Sequence, residues 1–92
     1  MTLEKVLVVD DDSEWLTTWS NYLKDNGCKQ VDTASSVDEV RRLVVPDNIY
    51  NLYLVDSLRR YQEDLDDLKS VVGHIRVVHP DSIILINSAE VD

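Results

Sequence analysis

Two rhythms of hydrophobic and polar positions alternate along the chain. Val6-Leu7-Val8-Val9 is an unbroken aliphatic run, mostly β-branched, and reads as a strand buried on both faces. It stops at three adjacent carboxylates, Asp10-Asp11-Asp12. From Ser13 the period becomes helical: Trp15, Leu16, Trp19, Tyr22 and Leu23 fall on one stripe. Asp12 or Ser13 is placed to cap the start of that helix, and Gly27 to close it in a left-handed turn. Aromatic side chains at this spacing pack inward as a rule, so both tryptophans are expected in the core.

The stretch from Cys28 to Ala34 is a second strand candidate, and its Lys29, Gln30 and Asp32 suit a sheet edge. Ser36 with Glu39 three residues on forms a capping box. The helix it opens carries Val37, Val40, Leu43 and Val44 as its stripe and ends before Pro46. After a polar connection, Leu52-Tyr53-Leu54-Val55 repeats the opening pattern and terminates in one carboxylate, Asp56. A long helix is expected between Tyr61 and His79, with Leu65, Leu68, Val72 and Ile75 inward and Val71 and Val78 beside them. Its acidic first turns and its basic end (His74, Arg76, His79) complement the helix dipole without any site, and neither histidine is assigned to a metal. Pro80-Asp81-Ser82 is a turn, and Ile83-Ile84-Leu85-Ile86 is a last strand leading into Asn87-Ser88.

Strands alternating with helices through short connections predict an α/β fold: an open parallel sheet with helices on both faces. The 92 residues form a single domain, 1–92.

Composition narrows the functional classes. Eighteen acidic residues face nine basic ones, for a net charge of −9. That balance argues against nucleic acid and against an anionic membrane surface, and favours a divalent cation or a basic protein partner. No apolar stretch approaches membrane-spanning length, no signal peptide is expected, and a single cysteine, Cys28, fits a reducing, cytoplasmic setting.

Taken alone, Asp10-Asp11-Asp12 looks like helix capping. The predicted sheet changes that reading. Asp10-Asp11, Asp56 and Ser88 each follow a buried strand, and ligands of open parallel sheets bind outside the carboxyl ends of the strands. Clustered carboxylates suit a hard cation with oxygen ligands, Mg²⁺ above all. Asp56, standing alone, is the candidate nucleophile for a phosphoryl group, giving an aspartyl phosphate. Ser88 offers a hydroxyl to a phosphoryl oxygen, while Asp12 keeps the capping role.

Val-Leu-Val-Val-Asp-Asp-Asp, Leu-Tyr-Leu-Val-Asp56 about 45 residues on, and Ile-Leu-Ile-Asn-Ser88-Ala-Glu together resemble the receiver domain of two-component response regulators. The resemblance covers essentially the whole chain. It implies a flavodoxin-like fold with strand order 2-1-3-4-5. It also implies Mg²⁺ ligation by Asp11, Asp56 and the backbone carbonyl of Leu58, with Asp10 acting through water. Asp56 would accept a phosphoryl group from a histidine kinase or phosphotransfer protein, with Ser88 as the switch hydroxyl. Such a domain is not an enzyme acting on an external metabolite.

Two departures stand out. The segment Ser57-Leu58-Arg59-Arg60 lacks the Met-Pro pair that receivers carry after the acceptor. The sequence also stops after its fourth predicted strand, so the last strand with its lysine and the last helices of the family pattern are missing. On this expectation Ile83–Ile86 becomes an apolar edge through which the chain self-associates, together with the adjoining face. The alternative is a degenerate receiver serving as a phosphorylation-independent interaction or dimerisation module.

Overall fold

A computed structural model describes residues 4–56 and 64–87, and among these the side chains of all but Asp56, 64–67 and Asn87. Four strands and three helices alternate: β1 (Lys5–Val9), α1 (Ser13–Asp25), β2 (Gln30–Ala34), α2 (Val37–Leu43), β3 (Leu52–Asp56), α3 (Asp64–Val78) and β4 (Ile84–Asn87). The strands form one all-parallel sheet in the order β2-β1-β3-β4, the α/β architecture expected and compatible with a flavodoxin-like order. The single-domain expectation extends to residues outside those described.

Chain direction across the sheet reverses at β1: the first crossover runs to β2, the next passes back over β1 to β3, and the third goes on to β4. Right-handed crossovers then put α1 on one face and α2 and α3 on the other. Alternating strand residues feed the two cores accordingly. Leu7, Val9, Tyr53 and Val55 pack with Val40 and Val44 of the α2 region and with Val71 and Ile75 of α3. Val6 and Val8 pack with Leu23 and Cys28 under α1. The aliphatic run of β1 is inaccessible on both faces because β1 is an interior strand with helices above and below. Complete burial of each such side chain stabilises the fold by about 1.5–3 kcal/mol relative to exposure.

The helix ends follow local chemistry. The carboxylate of Asp12 accepts the Glu14 amide at 2.9 Å and caps α1. At the other end the Cys28 amide donates to the Leu23 carbonyl at 2.9 Å and the Gly27 amide to that of Lys24 at 3.1 Å. This Schellman pattern requires the left-handed conformation that Gly27 supplies at φ 96°. Ser36 caps α2 by accepting the Glu39 amide at 3.2 Å. The reciprocal half of the box is displaced by one residue: the Glu39 carboxylate takes the amide and hydroxyl of Ser35, at 2.6 and 2.7 Å.

The stripe of α1 departs from expectation. Only Leu23 is buried; Leu16 and Trp19 are partly so, while Trp15 is 53% and Tyr22 57% exposed. A stripe as wide as Trp15 to Leu23 exceeds what one helix buries on β1 and β2, and its aromatic margin remains in solvent. In α3 the buried centre is Val71 and Ile75, with Leu68 and Val78 partly covered and Val72 at the margin. Residues 61–63 and the side chain of Leu65 lie outside the described set.

Candidate functional site

The carboxyl edge of the sheet begins where β1 leaves the core. Register pairs Val9 with Ala34 on one side and with Val55 on the other. The Asp10 amide extends the ladder one step by donating to the Ala34 carbonyl at 3.1 Å. Asp10 is thereby held at 4% exposure, the one charged residue recorded as buried among those described. Burying a carboxylate is costly unless N–H groups meet it. The Asp12 amide donates to Asp10 Oδ1 at 3.0 Å, an Asx turn that bends the chain from β1 into α1. Asp11, between them, points its side chain into solvent.

The structure separates the three acids by role. Asp10 is locked in a turn, Asp11 is exposed, and Asp12 caps α1. On the neighbouring strand the backbone of Asp56 closes β3, paired with Asn87 of β4, one register step beyond Val9–Val55. The side chain of Asp56, and both Leu58 and Ser88, lie outside the described residues. Among the described residues no three His, Cys, Asp or Glu side chains gather as a metal site. Asp10 and Asp11 therefore meet the start of β3's last residue only at the level of backbone: adjacent parallel strands ending at one edge, beside the point where chain direction reverses.

At the opposite end of the sheet lies a polar cluster that the pattern of the sequence did not point to. The Tyr50 hydroxyl donates to Asp32 Oδ2 at 2.6 Å and accepts from Asn48 Nδ2 at 3.0 Å. Asn48 also donates to the Leu43 carbonyl at 2.7 Å, and its carbonyl oxygen accepts from Lys5, whose ammonium stands 4.9 Å from the Tyr50 ring centroid. Burial first, then the bond to Asp32, push the Tyr50 hydroxyl well above its usual pKa. These residues come from β1, from β2 and from the connection between α2 and β3, so no short-range spacing announces them. Asn51 works alongside, its Oδ1 accepting the amides of Glu4 and Lys5 at 3.0 and 2.8 Å.

The two histidines of the α3 region also have structural partners. His74 Nε2 lies 2.9 Å from the Val44 carbonyl and His79 Nε2 2.9 Å from that of Val45. They meet carbonyls just past the end of α2, and that of Val45 also accepts the Asn48 amide at 3.0 Å. A groove of about 330 Å³ opens nearby, between Ile49, Tyr50, His79, Pro80 and Ile83. It sits at the amino ends of β3 and β4, away from the acids.

No described helix is long and apolar enough to cross a membrane. No family model matches the chain, and no curated protein matches it.

Proposed function

We propose that the chain is a receiver-type signalling domain that accepts a phosphoryl group on Asp56 from a histidine kinase or phosphotransfer protein. The observation that carries this reading is the carboxyl edge of the sheet. β1 and β3 are adjacent and parallel; one runs into Asp10-Asp11 and the other ends in Asp56. Three acids at the ends of two interior strands are more than helix capping requires, since Asp12 alone caps α1.

In this reading Asp11, Asp56 and the Leu58 carbonyl would hold Mg²⁺, with Asp10 acting through water. Oxygen donors of this kind suit that ion, which would supply positive charge to the site. The Asp56 carboxylate attacks phosphorus, a P–O bond forms, and the P–N bond to the donor imidazole breaks with its electron pair returning to nitrogen. The Ser88 hydroxyl donates to a phosphoryl oxygen. The domain acts in the cytoplasm and touches neither nucleic acid nor membrane, in keeping with its net charge of −9.

Incubation with Mg²⁺ and a small acyl phosphate, read by intact mass, tests the reading. A gain of one phosphoryl group that vanishes in Asp56→Asn is expected. No gain, or a gain that persists in Asp56→Asn, would remove Asp56 as the acceptor.

A second reading is a degenerate receiver that serves protein contact without phosphorylation. It is favoured by β4, which has β3 as its one partner among the described strands and leaves Ile83, Leu85 and Ile86 exposed. Edge-to-edge pairing of two copies through Ile83–Ile86 follows from that exposure. Light scattering should then report a dimer that Ile86→Lys dissociates; a monomer at high concentration would count against it.

A further inference from the structure

The end of α1 carries chemistry that the carboxyl edge of the sheet does not use. Asn26 and Gly27 are adjacent and exposed, and they lie between Leu23 and Cys28, both buried in the core under α1. An asparagine carboxamide is open to attack by the backbone nitrogen of the next residue, which closes a five-membered ring. A side chain on that next residue hinders the approach, and glycine has none. A Cβ at Gly27 would meet nothing within 4 Å, so no neighbouring segment shields the pair. Asn21, Asn48 and Asn51, by contrast, precede the bulky Tyr22, Ile49 and Leu52. Gly27 is itself demanded by the cap, because φ 96° disfavours every residue with a Cβ.

The same cap holds the reaction off. Asn26 has ψ 20°. The tetrahedral Cα sets its side chain about 120° from its own nitrogen, so at this ψ the Gly27 nitrogen lies nearly opposite the side chain across the Cα–C bond. Ring closure needs the two on one side. The rotation that brings them together breaks the 3.1 Å bond from the Gly27 amide to the Lys24 carbonyl. It also carries the Cys28 amide away from the Leu23 carbonyl, now 2.9 Å distant. The carboxamide is tethered as well, with Asn26 Nδ2 donating to the Tyr22 carbonyl at 2.8 Å.

We propose that Asn26–Gly27 is a site of spontaneous deamidation, gated by the C-terminal cap of α1, whose conversion frees the last turn of the helix from the sheet. The Gly27 nitrogen loses its proton to solvent and attacks Asn26 Cγ; a C–N bond forms, the bond to Nδ2 breaks, and ammonia leaves with the proton returned. Water then opens the ring at either carbonyl, giving aspartate or isoaspartate. Both products place a new negative charge at the carbonyl end of the helix dipole and lose the bond from Nδ2 to Tyr22. In isoaspartate the main chain also runs through Cβ and is one atom longer, so the Gly27 and Cys28 amides no longer reach Lys24 and Leu23 together. Leu23 and Cys28 pack with Val6 and Val8 of β1, and the loss passes through them to the sheet.

Peptide mapping by mass tests this on the whole chain, kept in warm, mildly alkaline buffer with and without denaturing urea. In urea Asn26 should convert, with isoaspartate the larger product, while Asn48 and Asn51 stay intact. The folded chain should convert about tenfold or more slowly, because the cap must first open. Asn26→Gln, whose ring would need six atoms, should not convert in either state. Protein converted in urea and then refolded should melt at a lower temperature than unconverted protein taken through the same cycle. Three outcomes overturn the proposal. An Asn26 as inert in urea as Asn48 removes the site. Equal rates with and without urea remove the gate. An unchanged melting temperature after conversion removes the release of the helix end.

Discussion

Tyr50 and Tyr53 stand edge to face with centroids 5.4 Å apart, and their hydroxyls meet opposite fates. That of Tyr50 is bonded to Asp32 and Asn48. That of Tyr53 is fully buried with no hydrogen-bond partner among the described residues; the nearby Tyr50 amide offsets part of the burial effect without reaching bonding geometry. Tyr53→Phe removes an uncompensated group and should leave stability unchanged or raise it by up to about 1 kcal/mol in denaturant unfolding. Tyr50→Phe leaves Asp32 short of a donor and should cost about 1–2 kcal/mol. The two also differ from wild type in alkali. Folding raises the pKa of both phenols, chiefly through burial, so their contribution is intact below the unfolded value of about 10 and is lost as pH rises above it. Tyr50→Phe should therefore flatten the fall in unfolding midpoint above about pH 10 relative to wild type. An identical fall in wild type and Tyr50→Phe would show that Tyr50 carries none of it.

The helices show what a sequence pattern specifies and where it stops. Asp12, Ser36 and Gly27 were legible because capping depends on a side chain and amides within three residues. Asp12→Ala should cost about 1 kcal/mol, read as a lower thermal midpoint without change in sheet content; no loss would mean that water caps α1 equally well. Trp15 and Tyr22 were misjudged for a reason of the next level up. Helical spacing says which residues share a stripe, but not how many neighbouring elements are present to cover it. Glu39 differs again: its bonds to Ser35 hold its carboxyl below the usual range, and nothing in the Ser-x-x-Glu spacing distinguishes Ser35 from Ser36 as its partner. The bonds of the two histidines of the α3 region to Val44 and Val45 bridge some 30 positions, beyond any local pattern.

Across the described residues, three aliphatic runs and the mixed stretch from Cys28 to Ala34 sufficed for the four strands, and alternation with helices for the parallel sheet. For the candidate site they gave only the backbone placement, because a parallel sheet sends every strand's last residue to one edge, while the side chains of Asp56 and Ser88 lie outside the described residues. That is how Asp10 and Asp56 came to be linked across 46 positions. The cluster of Lys5, Asp32, Asn48 and Tyr50 escaped notice because it depends on register between elements. The order β2-β1-β3-β4 also bears on how the chain assembles. β1 and β2 pair first in sequence, β3 then joins the open side of β1, and β4 joins β3. Each strand is added to the rim of what precedes it, and none has to be inserted between two already joined. Every pairing still closes a long loop, so its entropy is spent before the contact forms. A growing polypeptide can thus lay down this sheet in the order of its own translation, with the newest strand always the outermost.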